Sequence, residues 1–189
     1  FKAVDWLLSV PGASRTLLES VIPYSTQSLV NLIGCMPDKF VSDDTAIAMA
    51  KAAYHSAASL HECGGRVFGV GCTATIATDR SKKGEHRCHV AICHALGLLN
   101  YRVTLKKGMR DREGEEDLVS RLIIRALCES TGVDNNVELH ASESEHIITK
   151  ATAYIDAIES LCGGHVASVI IKPGGKGASD KSSNCGILS

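Results

Sequence analysis

VFGVGCTATIATDRSKKGEHRCHVAIC, Val67 to Cys93, decides how the rest of the chain is read. Two short apolar runs, Val67 to Cys72 and Arg87 to Cys93, flank a segment that starts with small and hydroxylated residues and ends in charge. Apolar runs of this length predict buried strands. Thr73 to Thr78 then leave at the end of a buried strand, and ligands of open α/β sheets gather at the carboxyl ends of strands. Small residues such as Gly71 let backbone N–H groups approach an anion. Thr73, Thr75 and Thr78 add hydroxyls, and Arg80, Lys82, Lys83 and Arg87 add positive charge. Together these suit a phosphate, although the pattern is neither a Walker A loop nor G-x-G-x-x-G. A solvated hairpin whose threonines merely follow a strand accounts for the same residues.

His86, Cys88, His89, Cys93 and His94 raise a metal site as a further reading. Zinc needs four converging side chains, usually from two separated pairs. On one strand, Cys88 and His94 share a face but lie roughly 20 Å apart, and His89 and Cys93 are splayed on the other face. No metal and no cofactor are therefore expected. The remaining histidines (His55, His61, His140, His146 and His165) stand singly and are expected to be solvated.

Outward from this stretch, Lys2 to Val10 has helical spacing and stops at Pro11-Gly12. Thr16 to Ile22 is β-branched and apolar and predicts a strand. Ser25 caps a short helix that ends at Gly34, and Ser42 caps an Ala-rich helix from Thr45 to about His61. Asp43 and Asp44 sit where the positive end of that helix dipole favours anions. Tyr101 to Lys107 alternates in period two, with Tyr101, Val103 and Leu105 against Arg102, Thr104 and Lys106. Asp111 to Thr131 is the strongest helix, acidic at its front and stopped by Gly132. Val133 to Glu145 is polar, a candidate linker. A helix is expected from Ile147 to about Leu161 and a strand from Val166 to Lys172. A Gly/Ser/Lys connector follows over residues 173–184. The alternation predicts an α/β fold, a three-layer α/β/α sandwich around a mixed sheet.

Two N-terminal turns complete the candidate site. Pro11 to Arg15 (PGASR) presents Ser14, and Pro23 to Ser25 (PYS) places a phenol, Tyr24, beside a helix N-terminus at Ser25. The second suits an anion or a proton relay, and equally a plain N-cap.

Bulk composition narrows the function classes. The 189 residues carry a net charge of −1, which gives no overall pull toward nucleic acid or a membrane surface. Aromatic residues are 4%, too few for a surface that stacks single-stranded bases. No apolar run reaches the roughly 18 residues needed to span a bilayer. The eight cysteines include no C-x-x-C pair, and several lie inside apolar runs, as buried thiols of a reducing, cytoplasmic compartment do. The chain opens at Phe1 without a signal or transit sequence, and a segment upstream of it is expected.

The order of VPGASRTLLESVIPYSTQSLVNLIG, FVSDDTAIAMAKAAY, VFGVGCTATIATD and YRVTLKKGMRDREGEEDLVSRLIIRALCE resembles the carboxy-terminal domain of the CinA family, over about residues 2–131. The resemblance implies a CinA-like α/β domain over residues 1–131, an extension over 132–172, and a pyridine nucleotide or related small phosphorylated metabolite as ligand. That family is associated with removal of the amide of nicotinamide mononucleotide. Its nucleophilic serine falls upstream of Phe1, and its lysine falls at Leu29, whereas Tyr24 and Ser25 are kept. Leucine cannot activate a serine hydroxyl. The departures resemble a plant-like branch in which a nucleotidylyltransferase-like domain follows, with residues 185–189 as its opening strand.

Three functions follow. One is a pyridine-nucleotide-binding domain with a degenerate amidase site, in which Tyr24 is the retained catalytic-site residue and Ser14, Ser25, Gly71, Thr73, Thr75 and Arg80 contact ligand. Another is an active nicotinamide-nucleotide amidohydrolase. The last is a non-catalytic interaction module, a homo-oligomer packed through the alanines of 45–61.

Overall fold

Hydrophobic periodicity and end signals agree for the helices. In the computed structural model, which describes residues 2–61, 65–80 and 83–153, α1 runs Lys2–Leu8 and α2 runs Thr26–Ile33. The helix α3 runs Asp43–Leu60 and α4 runs Arg112–Thr131. Each predicted cap does its work. Ser25 accepts from the Ser28 N–H and Ser42 from Thr45; Asp111, expected only within the acidic front of its helix, also caps, accepting from Gly114. At the other ends Gly34 (φ 79°) and Gly132 (φ 76°) take the left-handed conformation that closes α2 and α4.

Four strands, β1 (Phe68–Thr75), β2 (His86–His94), β3 (Gly97–Leu105) and β4 (Ile147–Ala153), pair in the order β1-β2-β3-β4. Every pairing among them is antiparallel, so the described sheet is an open antiparallel meander and not the mixed sheet expected. The cause is the connection. His94 faces Gly97 across a two-residue turn, Ala95-Leu96, which forces β2 and β3 into a hairpin.

Alternation along these strands sorts the side chains to two faces. Cys88, Val90, Ile92, Tyr101, Val103 and Leu105 form a core with Leu118, Val119, Leu122, Ile123 and Ala126 of α4, and Ala3 of α1 joins it. On the opposite face Ala91 and Cys93 pack against Ala46 and Ala50 of α3. The sheet thus lies between α3 and α4. The approach of α3 is close because β1 offers glycines: a Cβ at Gly69 would overlap the Ala50 carbonyl oxygen, and one at Gly71 the Ala46 carbonyl oxygen.

Two other expectations change. Thr16 to Ile22 joins no ladder, and Leu18, Val21 and Ile22 are exposed. β-Propensity reports the fit to a pleated neighbour, and none lies beside this segment among the described residues. Ile147 to Ala153 is a strand where a helix was expected, because its β-branched residues find the edge of β3; residues 154–161 of that expectation lie outside the described set. The expected strand 166–172, the connector 173–184 and residues 185–189 also lie outside it.

The segment between α4 and β4 has no regular structure, yet Leu139 and Glu145 are buried in it. Glu145 accepts from both Arg110 Nη atoms (2.7 and 2.8 Å) and from the backbone N–H groups of Lys106 and Ser142. All described residues fall within one compact unit. Among them, no helix is long and apolar enough to cross a membrane.

Candidate anion-binding site

Register places the site. Thr73 of β1 stands opposite His89 of β2, which stands opposite Arg102 of β3. The neighbouring row is Thr75, Arg87 and Thr104. Both rows face the α3 side, by the same alternation that puts Gly71 and Ala91 under α3. α3 begins only at Asp43, so these rows lie at and beyond its N-terminus and form a polar strip where the apolar helix–sheet contact ends.

His89 is the floor of the strip, 4% exposed. Its Nδ1 lies 2.6 Å from Asp43 Oδ1, and an ionised carboxylate can only accept, so Nδ1 carries the proton. Nε2 is then left as an acceptor, and it is buried with no partner among the described residues. Burial alone would raise the Asp43 carboxyl; hydrogen bonds from His89 and Asn100, with the nearby charge of Arg102, hold it below the usual range instead. Asn100 must donate its amide N–H to that carboxylate, and its Oδ1 is also buried with no partner among the described residues. Arg102 Nη1 stands 3.8 Å from Asp43 Oδ2, and both side chains are partly exposed, which makes them the rim. Arg87 has a buried Nε–H with no partner among the described residues. Buried polar atoms are normally satisfied, and an orphan among them points to a ligand or ordered water.

The predicted residues divide between this strip and the rest of the surface. Thr73 and Thr75 belong to it, though as strand residues and not loop residues; the Thr73 hydroxyl donates to the Phe40 carbonyl at 2.7 Å. Gly71 is buried under α3. The loop that follows β1 is rooted on the opposite face, where the Ala77 N–H donates to buried Glu115 (2.6 Å) and Arg112 donates to the Ala77 carbonyl. Arg80, farther along it, is exposed. Ser14 is exposed in a 3-10 turn, Ala13–Arg15, and Ser25 serves as the cap of α2. Tyr24 is 91% exposed. No hydrogen bond joins Ser14, Tyr24 or Ser25 to Thr73 among the described residues. Leu29 is 7% exposed in α2.

The histidines and cysteines of β2 also divide between faces. His86 meets Glu115 at 2.8 Å on the α4 side, while His89 meets Asp43 on the α3 side. Among the described residues no three metal-ligating side chains converge.

Asn100 and Arg102 escaped sequence reading because the hairpin did. With β3 begun at Tyr101, its register with β2 stayed open. The pair Ala95-Leu96 carries no Gly or Asn to mark the turn. Comparison of the chain with protein-family models, curated proteins and solved structures finds no match.

Proposed function

We propose that the chain is a CinA-like domain that binds a small phosphorylated metabolite of the pyridine-nucleotide class on the polar strip ahead of α3. One observation carries this: Arg87 Nε and His89 Nε2 are buried and unpartnered on neighbouring positions of one sheet face, beside Arg102, Thr73 and Thr75. A phosphate oxygen would satisfy Arg87 Nε–H, and Arg102 and the Thr75 hydroxyl offer further donors. His89 Nε2, the acceptor of the ring, would take a hydrogen bond from a hydroxyl of the ligand. The N-terminus of α3 adds a favourable potential.

The buried leucine at position 29 supports binding over a Ser–Lys amidase, since no amine stands there to take a proton. Calorimetric titration with nicotinamide mononucleotide and with nicotinate mononucleotide tests the proposal. Saturable heat is expected, and Arg102→Ala should weaken it roughly tenfold, as loss of one charge-assisted bond does. No heat from either nucleotide at millimolar concentration would remove the proposal.

A further inference from the structure

On the sheet face opposite the polar strip, two thiols meet. Cys72 of β1 stands opposite Val90, and Cys88 of β2 stands opposite Ala74, so the cysteines are diagonal neighbours across the β1–β2 ladder. Their Sγ atoms are 3.8 Å apart, in contact but unbonded. We propose that Cys72 and Cys88 are a modification site: a thiol pair that a peroxide oxidises to a disulfide across β1 and β2.

The two sulfurs differ in a way that assigns their roles. Cys72 is half-buried and Cys88 is fully buried. The hydrogen bond with Cys72, together with burial, pushes the Cys88 thiol well up, so Cys88 keeps its proton and can donate it to Cys72. Cys72, which reaches the surface, meets the peroxide and is the nucleophile, and the fully buried Cys88 is the resolving partner.

In the first step the Cys72 sulfur, giving up its proton, attacks one peroxide oxygen. The O–O bond breaks, Cys72 becomes a sulfenic acid, and the departing hydroxide takes a proton to leave as water. In the second step the Cys88 sulfur, giving up its proton, attacks the Cys72 sulfur. The S–S bond forms, the S–O bond breaks, and a second water leaves. Two thiols and one peroxide thus give one disulfide and two waters, with two electrons passing from sulfur to oxygen. Closing the sulfurs to about 2.05 Å asks for side-chain rotation on two strands already locked by their ladder. The product ties β1 to β2 at the root of the loop that joins them.

The test uses the full chain. It is treated with hydrogen peroxide, alkylated with N-ethylmaleimide and digested with trypsin without reductant. The expected product joins the peptides Val67–Arg80 and Cys88–Arg102, two hydrogens lighter than their sum and separated by dithiothreitol. Because the second peptide also holds Cys93, the link must persist in Cys93→Ser and vanish in Cys88→Ala. Exposed Cys35 serves as the internal gauge of oxidation. The proposal is overturned if Cys72 and Cys88 both take up maleimide after Cys35 has been oxidised. It is equally overturned if Cys72 is carried to a sulfonic acid, or joined to another cysteine, while Cys88 remains alkylatable. Should Cys88→Ala fold poorly, Cys72→Ser provides the same loss of the link from the other strand.

Discussion

Single residues carry more of this protein than their exposure suggests. Glu145 closes a long irregular segment by satisfying two backbone N–H groups and the Arg110 guanidinium at once. Burial alone would raise its carboxyl, but the bonds from Arg110, Ser142 and Lys106 lower it from 4.5 to about 2. Its contribution is therefore fully present above pH 4.5 and is lost as pH falls through 2. Glu145→Gln should lower stability by about 3 kcal/mol at neutral pH, because it leaves Arg110 unbalanced in a buried pair. The same variant should flatten the loss of stability between pH 4.5 and 2. Urea unfolding across that range checks both. His89 is the corresponding residue of the site, and the conservative change His89→Asn keeps a donor toward Asp43 while removing Nε2. It should preserve the fold by circular dichroism yet weaken nucleotide binding.

Elements are held by features that a sequence shows unevenly. The end signals of the helices were legible: Ser25 and Ser42 cap as read, and Gly34 and Gly132 terminate, whereas Asp111, read as the first residue of an acidic front, is the cap of α4. Asp111→Ala should cost about 1 kcal/mol through the lost α4 cap, read by urea midpoint. The period-two alternation of Tyr101, Val103 and Leu105 also gave the correct buried face. Pairing partners were not legible. Thr16 to Ile22 and Ile147 to Ala153 are both β-branched and apolar, and only the second finds a strand edge among the described residues. The alanines of α3, open to an oligomer reading, meet Gly69, Gly71 and Ala91 inside the chain. Gly71→Ala therefore forces its methyl against helix backbone and should cost 1–3 kcal/mol, about the usual toll of overpacking. A stability unchanged by that substitution would mean that α3 does not ride on β1 as described.

At the scale of the whole molecule, one meander separates two different surfaces. The α4 face of β1–β3 is an apolar core with a thiol pair in it. The α3 face turns from small-residue packing to a polar strip at the row where α3 begins. Thr73, Thr75 and Arg87 were visible in the sequence as ligand candidates, but Asp43, His89, Asn100 and Arg102 were not, because the strip is assembled from separate elements joined by long-range register. Tyr24, Ser14 and Ser25 are exposed in the N-terminal turns, where Ser25 caps α2.

The most direct measurement is amide chemical-shift mapping of the labelled chain during titration with nicotinamide mononucleotide. Saturable shifts centred on Thr73, Thr75, Arg87, His89 and Arg102, and absent from the Tyr24–Ser25 turn, are the predicted result. Shifts confined to Ser14, Tyr24 and Ser25, or none at millimolar nucleotide, would contradict it.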